Sequence, residues 1–193
     1  MLLRGQLHIH TTYSDGRLTP QQAADRYTEL GFDFIAFTDH DHLLKPSYRK
    51  AIEDVKSGMS IFFGIELTVG TSMGYVHVSR IESPGYTLHT FNHPGDYDIT
   101  LKQTIACIEH VAQIYDIDAV EVTHHGFYTP EFDTDEIPYP KIASDDSHTI
   151  LGCGRAWIEL EARRDRNAIV TAIKAGEYTN CYAKGQAKAI VLA

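Results

Sequence analysis

LHIHTTYSDG, residues 7–16, is the stretch whose reading decides the fold. It closes an apolar run, residues 2–9, that predicts a β-strand. His8 and His10 stand two apart on that run, so their side chains share a face, roughly 6.5–7 Å apart along it. Two imidazoles converging from one face can chelate one metal ion. Asp15 follows in Ser-Asp-Gly, a turn from which a carboxylate can reach a second ion beside the first.

Working outward, Thr19 is a good N-cap and Pro20 fits the first helical position. Ala23, Ala24, Tyr27 and Leu30 recur at helical spacing, and Gly31 stops the helix. Residues 32–38, FDFIAFT, are apolar on both faces, as in a covered parallel strand, and end in Asp39-His40-Asp41-His42. A second helix is predicted over 46–55. Strands follow over 61–69, carrying Glu66, and over 75–81, carrying His77. Residues 88–92 lead into His93-Pro94-Gly95. Residues 100–115 carry a helical stripe, with Cys107 as core filler, and 119–122 form a short buried strand before Thr123-His124-His125-Gly126. Residues 127–140 read as a lid or substrate loop. Residues 141–144 enter Asp145-Asp146-Ser147-His148. A strand over 156–160, a helix capped by Asp165 and running through Ala175, and a last strand over 178–182 complete the chain. Strands alternate with helices, and polar clusters stand at the carboxyl ends of strands. Parallel α/β barrels gather such ends on one face. The connection from Glu66 to His77 is hairpin-like, so an irregular barrel is expected.

The chain has 193 residues, 43% hydrophobic and 22% charged, which fits one domain over 1–193 with a sizeable core. Its formal net charge is −9, a sign that repels nucleic-acid phosphates and anionic lipid, so neither polymer nor membrane is an expected partner. Three bound divalent ions would bring it to roughly −3. Cys107, Cys153 and Cys181 form no close pair, which excludes a disulfide framework and a thiolate zinc site. No membrane-length apolar run and no signal peptide are read, so a cytoplasmic location is expected. The sequence carries no signal for oligomeric state.

The candidate ligands are His8, His10, Asp15, His40, Glu66, His77, His93, Asp146 and His148. Asp146 and His148 repeat the two-apart spacing of His8 and His10. Imidazole with carboxylate suits zinc, manganese or iron, and this many donors suits two or three divalent ions. Of the 11 histidines, His42, His89 and His110 read as surface or hydrogen-bonded residues. Asp39 and Asp41 flank His40 and are expected to orient imidazoles.

These motifs resemble the PHP (polymerase and histidinol phosphatase) domain superfamily of metal-dependent phosphoesterases. The likeness lies in HIHTTYSDG (8–16), FTDHD (37–41), Glu66, FNHPG (91–95) and SDDSH (144–148), with GRAWIEL (154–160) and AIKAGEYTN (172–180) in the tail. It runs from Arg4 to Gly185. Arg4-Gly5, GIELT and HPG are similar to a carbaryl-hydrolase-like branch. The resemblance implies an irregular (β/α)7 TIM-like barrel with up to three metals at the carboxyl face of the strands. It implies one ion on His8, His10, Glu66 and Asp146, a second on Glu66, His77 and His93, and a third on Asp15, His40 and His148, with Glu66 bridging the first two. His77 is placed by order and spacing. Many relatives have Asn where this chain has His124, which leaves His124 and His125 open between structural and substrate roles.

The expected reaction is hydrolysis of a small phosphorylated substrate, a phosphomonoester, by a metal-bridging hydroxide. Asp15, His40, Glu66 and Asp146 are expected at the reacting centre. Arg17, Arg155, His124 and His125 are the candidate substrate contacts. The same site can in principle cleave a carboxylic ester, amide or carbamate, for which an aryl pocket of Phe127, Tyr128 and Tyr139 would speak. A non-catalytic metal-binding module is the third reading.

Overall fold

The computed structural model describes residues 1–184; residues 185–193, including the Gly185 at which the family likeness ends, lie outside the described residues. The strands are β1 (Leu2–Gln6), β2 (Phe34–Phe37), β3 (Ser60–Thr71), β4 (Gly74–Glu82), β5 (Thr87–Phe91), β6 (Ala119–Glu121), β7 (Thr123–His124), β8 (Phe127–Tyr128), β9 (Lys141–Ile142), β10 (Ala156–Glu161) and β11 (Thr179–Tyr182). The helices are α1 (Pro20–Glu29), α2 (Tyr48–Glu53), α3 (Leu101–Val111) and α4 (Arg166–Lys174). Helices α1 and α3 begin with reciprocal capping boxes, Thr19 with Gln22 and Thr100 with Gln103, and Asp165 caps α4 through Asn167 and Ala168. No described helix is long and apolar enough to cross a membrane.

The main sheet has the order β11-β10-β1-β2-β3-β4-β5-β6-β9 and curls into a nearly closed barrel. Neighbours β1/β2, β2/β3, β5/β6 and β6/β9 are parallel. Strand β4 runs antiparallel to both β3 and β5, so the expected hairpin between Glu66 and His77 is present. At the carboxyl end, Ile9 bridges Ser147 in parallel, so the extensions of β1 and β9 meet there. The barrel thus closes through β1 to β6 and β9, the seven strands expected.

Two features make it irregular. Among the connections between the seven barrel strands, only β1–β2, β2–β3 and β5–β6 carry an α-helix, and α4 lies between β10 and β11. At the opposite end β1 leaves β9 and takes β10 as an antiparallel neighbour, with β11 beyond it. Gln6 fills the fork. Its Nε2 donates to Ala156 O (2.7 Å), and its Oε1 accepts from the amides of Leu7, His8 and Asp145. The remaining seam, between β11 and β9, is joined by a side chain. Asn180 Nδ2 donates to Lys141 O (2.9 Å), and its Oδ1 accepts from Ala143 N (2.8 Å).

The barrel interior changes character with height. Leu3, Phe34, Phe62, Ile81, Leu88, Ala119 and Ile142 form its apolar floor, and Ile169, Val170, Ala172 and Ile173 of α4 plug it from below. Strand alternation carries the same faces upward to Glu66, Ser79, Thr90, Glu121 and Ser144, all buried. Helices α1 and α2 cover one flank through Ala23, Ala24, Tyr27 and Ile52, and α3 covers another through Cys107, Ile108 and Val111.

Candidate metal centre

The polar upper layer gathers on one point. His8 and His10, on the extension of β1, bring their Nε2 atoms within 3.0 Å of each other. His8 Nδ1 is engaged by Glu121 Oε1 (2.9 Å), so its proton belongs there and the Nε2 lone pair faces inward. Glu66, 0% exposed, lies across from them. Its Oε1 is 3.2 Å from His8 Nε2, 3.0 Å from His93 Nε2 and 3.5 Å from His77 Nδ1. Its Oε2 is 3.2 Å from His10 Nε2 and 2.9 Å from His40 Nδ1. Asp146 Oδ1 lies 3.5 Å from His8 Nε2, 3.3 Å from His10 Nε2 and 3.4 Å from His148 Nδ1. Asp146 has φ +47° and His93 φ +25°, backbone that L-residues adopt rarely and that tends to mark functional sites.

Asp15 forms a second focus, 3.6 Å from His10 Nδ1, 3.7 Å from His40 Nε2 and 3.4 Å from His148 Nε2. The turn that delivers it needs Gly16, because a Cβ there would lie 2.4 Å from His10 O. Groups of donor atoms within 4.8 Å of one another are His8, His10 and Glu66; His40, Glu66 and His77; His10, Asp15, His40 and His148; and His125, Asp146 and His148. All the sequence candidates are therefore brought to one face. His10 and His40 each stand in two groups, a closer mesh than the separate sets drawn from the family likeness.

These residues fit divalent ions. Among the described residues, His40 Nδ1, Glu66 Oε2, His77 Nδ1 and Asp146 Oδ1 are buried without a hydrogen-bond partner, a costly arrangement for so many converging acceptors unless a cation shares them. The donors are imidazole and carboxylate, with all three cysteines elsewhere. The electrostatics agree. Burial opposes charge on His8, yet Glu121, Glu66 and Asp146 hold it well above the ordinary imidazole range. His10 is pushed to about 9 by Asp146 and Glu66 in spite of its burial. The imidazoles in turn hold the buried Glu66 and Asp146 carboxyls well below theirs. Burial lowers His77 to about 4, leaving it a neutral donor.

Three supporting residues escape the sequence reading. Glu121 accepts from His93 N (2.8 Å) and from Ser144 Oγ as well as engaging His8. Asn92 Nδ2 donates to Glu66 Oε1 (2.7 Å) and Ser79 Oγ (2.9 Å). Asp145 accepts from the amides of Gly154, Arg155 and Ala156 and from Tyr27 Oη, pinning the loop beside Asp146. The available signal for Glu121 was a lone charge inside the apolar strand 119–122.

Other expectations are corrected. Asp39 orients no imidazole: it accepts from Thr11 N, Thr11 Oγ1 and Ser14 Oγ, and so braces the first motif's turn. Asp41 holds Thr68 and the exposed His42. Phe127, Tyr128 and Tyr139 do not make one pocket. Tyr139 packs with the α3 cluster, and Tyr128 meets Tyr182 edge to face with its hydroxyl on Asp133.

The substrate candidates sit at the rim. Arg17 donates its amide to His148 O (2.8 Å) and is exposed. His125 Nδ1 is 3.0 Å from Asp146 Oδ2, and His124 Nε2 is 3.1 Å from Asp96 Oδ1. Arg155 Nη1 donates to His125 O (3.2 Å). His89 packs on Tyr115, away from this cluster, as expected.

Solved structures share this architecture. A two-domain protein from Bacteroides vulgatus containing a predicted PHP-like metal-dependent phosphoesterase superposes with TM-score 0.71 at 19% identity, over 94% of this chain and 65% of that one. An amidohydrolase from Chromobacterium violaceum gives TM-score 0.62 at 15% identity, over 92% and 97%. Among named proteins, the 5′-3′ exoribonuclease Rnm of Salmonella typhimurium is 29% identical over 99 residues, 51% of this chain and 32% of Rnm. The DNA polymerase/3′-5′ exonuclease PolX of Bacillus subtilis is 33% identical over 54 residues, 28% of this chain and 10% of PolX. The chain therefore spans about a third of Rnm and a tenth of PolX. Residues 6–183 match the PHP domain as a family, and the chain belongs to it.

Proposed function

We propose that this chain is one metallohydrolase domain over residues 1–193, a metal-dependent phosphoesterase acting on a small phosphomonoester. The observation that carries the reading is the pair of inward-facing Nε2 atoms of His8 and His10, 3.0 Å apart, with Glu66 and Asp146 closing on both. Two lone pairs at that distance repel unless a proton or a metal ion lies between them, and the Glu66 and Asp146 carboxylates supply the charge that favours a metal ion. His8, His10, Glu66 and Asp146 would hold one ion, Glu66 with His77 and His93 a second, and Asp15, His40 and His148 a third. Zinc, manganese and iron suit these donors. Such ions supply Lewis acidity toward phosphoryl oxygens and lower the pKa of water toward neutrality.

The chain's own residues do the rest. Glu66, locked by Asn92, and Asp146, held beside the Asp145 loop, keep the donors fixed. Asp15 and His40 stand at the outer edge of the reacting centre. Arg155 and Arg17 at the rim offer guanidinium to the phosphoryl oxygens. His125 bonds Asp146, which raises its pKa, so it carries a proton suited to a departing alkoxide.

The net charge of −9 does not exclude a nucleic-acid substrate. Net charge describes the whole surface rather than the site, and the relatives include a named exoribonuclease. The test is phosphate release by manganese- or zinc-loaded protein from a panel of phosphomonoesters, with a dinucleotide and an aryl carboxylic ester alongside. Asp146→Asn is expected to lose bound metal and at least about 100-fold in kcat/KM together. Full metal content and normal turnover in that variant would refute the assignment. Release of the carboxylate alone would move the reaction to carbonyl chemistry.

A further inference from the structure

The hairpin of β7 and β8 carries more than its two histidines. Phe127 is 52% exposed in a chain whose other phenylalanines largely face the core. Its ring is covered on one side by the Arg155 guanidinium, 5.0 Å from the centroid. Arg155 has no carboxylate within ion-pair distance among the described residues, and one of its donors is spent on His125 O.

The pair is built rather than incidental. The turn between the two histidines and Phe127 uses Gly126 at φ +78°, where a Cβ would lie 2.5 Å from Arg155 Cβ, so the turn rests directly on the arginine stem. Arg155 N is tied to Asp145 Oδ1 (2.7 Å), and His125 Nδ1 to Asp146 Oδ2 (3.0 Å). Arg155 and the turn that carries Phe127 are thus anchored to the two aspartates of the fourth motif. Other exposed apolar side chains stand at this end of the barrel, Leu43 after His42, and Ile150 and Leu151 after His148. A polar metal centre with an apolar, cationic rim is an unusual fit for a small hydrophilic alcohol.

We propose that Phe127 and Arg155 form the leaving-group subsite, in which a flat aromatic ring on the substrate stacks against Phe127 while the guanidinium lies beside the phosphoester. The ring is a nucleobase or a simple aryl group. Stacking on a phenylalanine accepts either, because every such ring has a π-face. This rests on the phosphoester reading above.

The test compares metal-loaded wild type with Phe127→Ala and Phe127→Trp on adenosine 5′-monophosphate, p-nitrophenyl phosphate and glycerol phosphate. The readout is each variant's preference, the ratio of kcat/KM for a ring-bearing ester to that for glycerol phosphate. Intrinsic leaving-group reactivity cancels when variants are compared. Phe127→Ala is expected to reduce that ratio about tenfold, chiefly through KM, while Phe127→Trp retains it. A loss confined to adenosine monophosphate identifies a nucleobase, and a loss on both esters identifies any aryl ring. An unchanged ratio overturns the subsite. If wild type releases phosphate from none of them, the phosphoester reading fails, and equilibrium binding of the same three compounds decides the subsite on its own. A ring-dependent affinity lost in Phe127→Ala upholds it, and equal affinities overturn it.

Discussion

Glu121 shows how one carboxylate sets the state of two candidate ligands. It takes the Nδ1 side of His8 and the amide of His93, and so fixes a tautomer on one and a backbone turn on the other. Replacing it with Gln keeps the shape and permits an amide to face His8 Nδ1 with a donor, which favours the wrong tautomer. Metal affinity is expected to fall about 10- to 100-fold, read by competition with a chromophoric chelator, while the thermal midpoint of the metal-free protein moves little. An affinity equal to wild type would remove Glu121 from the support of the centre. The nine donors named from the sequence share one face because each stands in a short motif near a strand end, whereas His125, named there as a substrate contact, also falls in a donor group with Asp146 and His148. The sequence reading missed Glu121, Asn92 and Asp145 because their roles depend on which strands become neighbours. Asp39 was misassigned for the same reason: on an extended chain it points away from His40, and only the fold shows Thr11 and Ser14 waiting for it.

Among the elements, α4 has the least obvious function. The sequence marks its cap and its stripe, but not that Ile169 and Ile173 enter the barrel and form the layer beneath the site. Ile169→Ala is expected to cost about 2–5 kcal/mol of unfolding free energy, measured by urea denaturation, because the cavity opens inside the packed floor of the barrel. Metal stoichiometry should survive at temperatures where the fold persists, since the polar layer is held by its own hydrogen bonds. Helix α1 is readable to within a few residues from the Thr19 cap and Pro20, and α3 from its apolar stripe, while the reciprocal capping boxes that fix their starts emerge only in the structure. Strands β10 and β11 were readable as strands but not in direction, because alternation reports faces and says nothing about whether a neighbour runs parallel or antiparallel.

At the scale of the molecule, the buried imidazoles and carboxylates tie stability to pH. In the metal-free protein, His10 has its pKa raised from about 6.5 to about 9, so its contribution is fully present below the unfolded value and is lost as pH rises through about 9. Glu66 and Asp146, held low, contribute above the ordinary carboxylate range and lose that contribution in acid. Bound metal replaces those protons, so loaded protein should behave oppositely on the alkaline side. The manganese-induced rise in thermal midpoint is expected to grow from pH 6 to pH 8.5, and a constant rise would show that the imidazoles bind no ion.

Asn180 gives the barrel a clasp rather than a weld. Between β11 and β9 the ladder is one amide side chain, so that joint opens by rotation about a single χ angle, without breaking any backbone pairing elsewhere. Hydrogen exchange can see this. Asn180→Ala should speed exchange of the Ala143 amide and leave Val122, whose amide bonds Ile142 O across β6 and β9, at its native rate. Residues 144–148 leave directly from that joint and carry Asp146. Exchange at Ala143 thus reads the local breathing of the barrel wall at its weakest joint, separately from global unfolding.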